Sequence, residues 1–168
     1  MSLAERVSDL SYRFYGAIRH RRAWELAEGP AGASDFEHLS GHKYALLITY
    51  RRDGEGVPTP LWFGLRDGKV YLHTERRSVK VKRIRANSRV RLAPCNMRAK
   101  PLGPVAEGTA RILSPDEERH AEAAIEANYG LARRAYEAPI DRSSLDFIYV
   151  EVSPTDAEGN RDEGGEGS

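Results

Sequence analysis

The segment KVYLHTERRSVKVKRIRANSRVRLAP, from Lys69 to Pro94, predicts a strand, a short and very basic helix, and a second strand. Eight lysine or arginine residues fall between Arg76 and Arg91, with apolar runs on both sides. Cations held at a rigid corner between a strand and a helix are typical of an anion site, and phosphate is the simplest such anion. We expect the rest of the chain to hold this corner in place and to position a flat ring beside it.

Four side chains at this corner are candidates for phosphate binding. Thr74 ends the first strand, and Ser78 is placed to cap the following helix over residues 78–86. Lys80 and Arg83 are three residues apart, so they project from one face of that helix. A helix N-terminus with two hydroxyls and two cations fits a phosphate. Two alternatives remain open, a solvated basic surface helix and a nucleic-acid patch, although a stacking platform of several aromatic side chains is missing here.

A second candidate region is PTPLWF, residues 58–63. Its two prolines cannot donate hydrogen bonds to a neighbouring strand, which predicts a sheet edge or a bulge. Backbone groups beside such gaps can face a ligand, Thr59 adds a hydroxyl, and Trp62 offers a flat apolar surface. The alternative is an ordinary edge strand whose tryptophan packs in the core.

The fold class predicted from the sequence is mainly β with helices, an α+β protein. Short strands joined mostly by hairpins, with helices inserted after the third and fifth strands, favour a six-stranded antiparallel barrel with peripheral helices. The second of these helices is predicted to start at a Ser114 cap and to run to Tyr129. The six predicted strands are Tyr44–Tyr50, Val57–Leu65, Lys69–Thr74, Val90–Pro94, Val105–Leu113 and Asp146–Val152.

Three regions are predicted along the chain. Residues 1–40 form an N-terminal helical extension, with a helix over 3–28 and a short helix over 34–39 whose start has capping-box spacing. Residues 41–152 form the β domain, and residues 153–168 form a Gly-rich acidic tail that is expected to be disordered. Whether the long helix packs on its own domain, on a second subunit or over a site stays open. Because the tail is acidic, the rest of the chain carries the basic excess, which favours a small anionic ligand.

Several classes of function are disfavoured by what the sequence lacks. The longest apolar runs are too short for a membrane helix, and the N-terminus has no signal-peptide pattern, so we expect a cytoplasmic protein. The five histidines show no metal-ligand spacing, so no metal site is expected. Cys95 is the single cysteine and is interpreted as a structural or incidental thiol. An anion site without an evident protein nucleophile is typical of a protein whose bound cofactor does the chemistry.

Residues 43–113 resemble the flavin and deazaflavin oxidoreductases with a split β-barrel, which are relatives of pyridoxamine phosphate oxidase. The resemblance is greatest to the F420-dependent branch. This chain departs from the family pattern in the roughly 40 residues ahead of the first strand and in Ala99, where relatives often have glycine. The substrate class of the relatives is therefore not carried over to this chain. The matching segments are KYALLITYRRDGEGVPTPLWF (43–63), KVYLHT (69–74), SVKVKRIRANSRVRLAPCNMR (78–98) and GPVAEGTARIL (103–113).

The resemblance implies a homodimer that binds two cofactors at the subunit interface. It places Thr74, Ser78, Lys80 and Arg83 at the cofactor phosphate, and Thr59, Pro60, Leu61 and Trp62 along the ring. It brings Arg98 and Lys100 to the acidic tail of the cofactor or to the substrate.

The function implied is hydride transfer from reduced coenzyme F420 to an unsaturated small-molecule substrate, with no catalytic residue of the protein identified. The alternatives are an FMN-binding oxidoreductase, a cofactor carrier without turnover and a nucleic-acid-binding barrel. A heme-binding split barrel is a further option, for which His73 is the one evident axial-ligand candidate in the matching segments.

Overall fold

The computed structural model describes residues 21–130 and 146–155, and the seven strands among them form one antiparallel sheet. The predicted helix over 3–28 is described from residue 21 onward, and the tail from residue 156 lies outside the described residues. The strands are β1 (Tyr44–Tyr50), β2 (Gly56–Leu61), β3 (Phe63–Arg66), β4 (Lys69–Glu75), β5 (Arg89–Cys95), β6 (Ala106–Ile112) and β7 (Phe147–Pro154). The helices are α1 (Arg21–Glu25), a 3-10 turn (Glu37–Leu39), α2 (Val79–Ala86) and α3 (Glu118–Tyr129).

The sheet rolls up into an incomplete barrel. Its strand order is β2-β1-β5-β6-β7-β4-β3, so β2 and β3 lie at opposite edges although Trp62 alone separates them in the chain. Successive Cα atoms are about 3.8 Å apart, so the two edges must converge at Trp62. The ladders found for β2 and β3 run to β1 and β4 respectively, and the barrel is therefore not closed by hydrogen bonds between these two strands.

The prediction of six strands is wrong, because the single strand predicted over Val57–Leu65 is two strands. Pro58 and Pro60 lie on the edge strand β2, where their missing amides interrupt no ladder on the outer side. Beyond Trp62 the Phe63 amide donates to the hydroxyl of Tyr129 at 3.0 Å instead of to a strand. Apolar residues that favour β structure lie on both sides of Trp62, so the local pattern does not show where the chain changes edge.

Strand β1 is buried on both faces, which explains its nearly continuous apolar sequence. Its inward residues, including Leu47, pack inside the barrel with Phe36 and Leu39 of the segment before the sheet. Its outward residues, including Leu46, pack under residues 23–27. The part of the N-terminal segment that is described therefore covers the sheet of its own chain.

Buried Arg91 anchors this N-terminal segment. Its guanidinium donates to the carbonyl of Leu26 at 3.0 Å and to that of Gly29 at 2.5 Å, and it pairs with Glu107 at 2.6 Å. The Tyr50 hydroxyl donates to the Ala27 carbonyl at 3.1 Å. Since these side chains come from β1, β5 and β6, the segment is fixed across three strands.

Helix α3 begins three residues later than predicted, with Glu117 at the N-cap position in place of Ser114. Ser114 does not cap it, because the Ser114 amide and hydroxyl both donate to the Glu117 carboxylate at 3.0 Å. The helix lies directly on Gly64 of β3, where an added Cβ would come within 2.2 Å of the Ala124 backbone. Within the two described ranges, no helix is long and apolar enough to span a membrane.

Candidate functional site

The corner between β4 and α2 brings together three of the predicted phosphate-binding residues. The Lys80 ammonium donates to the Thr74 hydroxyl at 2.8 Å, and that hydroxyl lies 3.5 Å from the hydroxyl of Ser78. All three residues are buried, and Lys80 is 6% exposed. A cation and two hydroxyls therefore meet where α2 begins, which is the arrangement that a phosphate group favours.

Ser78 occupies the N-cap position of α2, as predicted, but its side chain makes no capping hydrogen bond. Its hydroxyl lies beside Thr74 instead. The prediction of a side-chain cap is therefore wrong, because the strand residue competes for the same hydroxyl. The helix begins with the Val81 amide donating to the Ser78 carbonyl at 3.1 Å.

Arg83, the fourth predicted residue, points from α2 toward β1. Its guanidinium Nη1 donates to the Thr49 hydroxyl at 3.4 Å. Sequence reasoning missed Thr49, which lies within the strand YALLITY and is 1% exposed. The feature of the sequence that could have identified Thr49 is a hydroxyl side chain among the otherwise apolar residues of β1 that face the inside of the barrel. We call Thr49, Thr74, Ser78, Lys80 and Arg83 the anion cluster.

Helix α2 divides its cations between two faces. Lys80 is buried and Arg83 is half-buried against the sheet, whereas Lys82 and Arg85 are exposed. The interpretation of α2 as a wholly solvated basic helix is therefore wrong, because two of its cations lie against the sheet. Burial of an ammonium disfavours folding, so a buried lysine indicates a role other than stabilising the fold. The exposed pair fits ordinary surface charge.

The predicted ring-lining residues lie along the edge strand that leads away from the anion cluster. Thr59 is opposite Leu47, Pro60 is opposite Leu46, and Leu61 is opposite Ala45. Thr49 is opposite Val57, two residues from Thr59, so both threonines face the inner side of the sheet about 7 Å apart along the strand. Thr59, Pro60, Leu61 and Trp62 are all half-buried, so this edge retains exposed surface.

Trp62 packs against Tyr129 at the end of α3, with ring centroids 5.1 Å apart and planes inclined by 30°. The Tyr129 hydroxyl accepts from the Phe63 amide at 3.0 Å and donates to the Lys43 carbonyl. The Asn128 amide nitrogen donates to the carbonyls of His42 and Phe63, at 3.2 and 3.1 Å. These two helix side chains thus replace strand pairing at the seam between β1 and β3, and they hold the Trp62 region in place.

Arg98 and Lys100 are not brought to the anion cluster within one chain. They lie in an exposed turn organised by Asn96, whose side-chain oxygen accepts from both of their amides at 2.9 and 3.0 Å. Val90 of β5 is opposite Thr49, whereas this turn follows Cys95 at the far end of the strand. Five residues of β5 separate the two levels, or about 17 Å.

Two other residues singled out by the sequence are packed in the fold. Cys95 is buried in the outer cluster of the sheet, and burial raises its thiol pKa to about 12, which fits a structural thiol. His73 lies among aromatic rings, 5.2 Å from Phe147 and 6.0 Å from Tyr149 between centroids. Among the described residues, no cluster of three His, Cys, Asp or Glu side chains could hold a metal ion.

Comparison with known proteins finds a match to the family described as pyridoxamine 5′-phosphate oxidase over residues 35–157. Similar solved structures include a conserved hypothetical protein from Mycobacterium tuberculosis, with 18% identity, a TM-score of 0.55, and coverage of 76% of this chain and 86% of that one. A heme storage protein from Vibrio cholerae has 15% identity and a TM-score of 0.53, with 70% and 85% covered. A protein described as an F420 reductase has 20% identity and a TM-score of 0.51, with 76% and 96% covered. No curated protein matches.

Proposed function

Since the chain belongs to the pyridoxamine 5′-phosphate oxidase family, we propose that it is an oxidoreductase that binds reduced coenzyme F420 and reduces an unsaturated small molecule. The observation that carries this proposal is the buried Lys80 ammonium beside the Thr74 and Ser78 hydroxyls. A buried cation at a helix N-terminus suits the phosphate that the coenzyme carries. The similar F420 reductase gives this cofactor a precedent in the fold.

In this proposal the anion cluster binds the phosphate, and the β2 edge orients the ring. Lys80 and Arg83 neutralise the phosphate charge, and the Thr74 and Ser78 hydroxyls add hydrogen bonds. Residues Thr59, Pro60, Leu61 and Trp62 lie next to the ring and exclude water from one side of it. The bound coenzyme supplies the hydride. The protein contributes position and electrostatics, which can account for a large part of a rate enhancement.

We propose further that the protein works as a homodimer. Arg98 and Lys100 lie about 17 Å along the sheet from the level of Thr49, at the opposite end of β5. They can contribute to the anionic tail of the coenzyme if a second subunit brings its turn to the site. The half-buried β2 edge, which has a neighbouring strand on one side, is a surface that a second subunit would complete.

Titration of the purified protein with F420 and with FMN, read by ligand fluorescence, tests the cofactor. We expect tight binding of F420 and weaker binding of FMN, because the longer anionic tail makes use of additional cations. A yellow FMN spectrum that survives gel filtration, with no affinity for F420, would overturn the choice of cofactor. Both cofactors carry a phosphate, so Lys80 and Arg83 do not discriminate between them.

Turnover is tested separately from binding. Oxidation of reduced F420 is followed with a panel of enones and quinones, since these offer an electron-poor carbon to a hydride. We expect reduction of at least one class. Tight F420 binding without turnover across the panel would favour a cofactor carrier instead.

A further inference from the structure

We infer that Thr49 is a positioning residue that aims the Arg83 guanidinium at the phosphate of the bound cofactor. The inference rests on the proposed function and assigns a role to a residue of the strand opposite α2. Its basis is the hydrogen bond from Arg83 Nη1 to Thr49 Oγ1 at 3.4 Å, together with the surroundings of that hydroxyl.

Thr49 lies at a position where an apolar residue would otherwise be expected. The residues before it on the inner face of β1, Ala45 and Leu47, belong to the barrel core. Its partners on the neighbouring strands are Val57 and Val90. A valine has the shape of a threonine and would continue this row. A buried hydroxyl that lacks a hydrogen bond disfavours folding, so a threonine here is best explained by the donor that reaches it.

The contact resembles the one at the other side of the cluster. Lys80 donates to Thr74 on β4, and Arg83 donates to Thr49 on β1, so each of the two cations of α2 that face the sheet contacts a threonine hydroxyl from a different strand. Arginine has a long side chain with many rotamers, and a fixed contact at one nitrogen reduces the freedom lost when a ligand binds. The guanidinium carries five N–H donors, so one bond to Thr49 is compatible with others to a phosphate.

The test compares ligands that carry the phosphate with ligands that lack it, and FMN and riboflavin differ in the phosphate alone. Thr49→Val and Thr49→Ser proteins are titrated with FMN and riboflavin, and with F420 and its phosphate-free deazaflavin parent. For Thr49→Val we expect about tenfold weaker binding of the phosphate-bearing ligands, or about 1.4 kcal/mol, with unchanged binding of the phosphate-free ones. Thr49→Ser keeps the hydroxyl and is expected to restore affinity. The melting temperature of Thr49→Val should not fall, because valine suits the apolar row.

Equal losses for both kinds of ligand in Thr49→Val would overturn the inference, because they would indicate a general structural role. Unchanged affinity for all ligands would overturn it as well. A Lys80→Met protein separates this outcome from failure of the proposed function. If Lys80→Met loses phosphate-dependent affinity and Thr49→Val does not, the role of Thr49 alone is wrong. If neither does, the phosphate site itself is wrong, and the inference falls with it.

Discussion

Replacing Lys80 by methionine tests the anion cluster at its most buried cation. Methionine keeps an unbranched apolar side chain and removes the ammonium. The hydrogen bond to Thr74 at 2.8 Å is lost, and such bonds to charged groups contribute about 1.5–3 kcal/mol. Against this, the fold no longer has to bury a charge, which costs several kcal/mol. We therefore expect the free energy of unfolding to change little or to rise.

Cofactor binding should respond in the opposite way. A phosphate that loses one charge-assisted hydrogen bond in this site is expected to lose about 1.5–3 kcal/mol, or about 10- to 150-fold in affinity. The matched control is Lys82→Met, which changes the same residue type on the exposed face of the same helix. An exposed cation contributes little, so the control should lose less than about fivefold.

The assay is fluorescence titration of both variants with F420 and FMN, combined with thermal unfolding. Equal affinities of the Lys80→Met and Lys82→Met proteins would refute the reasoning, because the buried lysine would then contribute no more to phosphate binding than the exposed one. A stable Lys80→Met protein with strongly weakened binding would show that the ammonium is retained for the ligand and not for the fold.

Three further predictions concern residues around the site. Tyr129→Phe should lower the free energy of unfolding by about 1–2 kcal/mol, because the Phe63 amide loses its acceptor; Tyr129→Leu should lower it further through loss of the Trp62 ring contact, and urea unfolding of both variants measures this. Cys95, whose burial raises its pKa to about 12, should resist alkylation at pH 8 in the native protein and react after unfolding, as mass spectrometry would show. Hydrogen bonds from Arg91 and Arg89 lower the pKa of Glu107 despite partial burial, so this carboxylate stabilises the fold above its unfolded pKa of about 4.5 and less as pH falls through its folded value. Glu107→Gln should therefore flatten the acid side of a plot of melting temperature against pH, and an unchanged slope would contradict the assignment.

Much of the β structure could be predicted because its signals are local. Strand β1 matches its predicted bounds, and the corner from β4 through α2 to β5 lies within one residue of them. The pairing of Lys80 with Thr74 is also local, since a strand end and the first turn of the next helix must lie close together. Side-chain spacing alone was therefore enough to find most of the anion cluster.

The errors concern contacts between distant parts of the chain. The change of edge at Trp62 depends on Tyr129 and Asn128, more than 60 residues later, and nothing in the segment around Trp62 encodes it. Thr49 was missed because its partner Arg83 is 34 residues away. The roles of Arg98 and Lys100 stay predictions, because they depend on a second subunit and not on contacts within one chain.

The position of β7 has a consequence for the order in which the protein folds. In the strand order, β7 alone joins the four strands β2-β1-β5-β6 to the pair β4-β3. Within the described part of the chain, β7 is also the last strand to leave the ribosome. The two groups of strands therefore keep exposed edges until residues 147–154 emerge. The pairing of β7 with β4 then brings together segments that are about 75 residues apart in the sequence. Such late, long-range pairing makes folding slow and leaves the nascent chain prone to association through its strand edges.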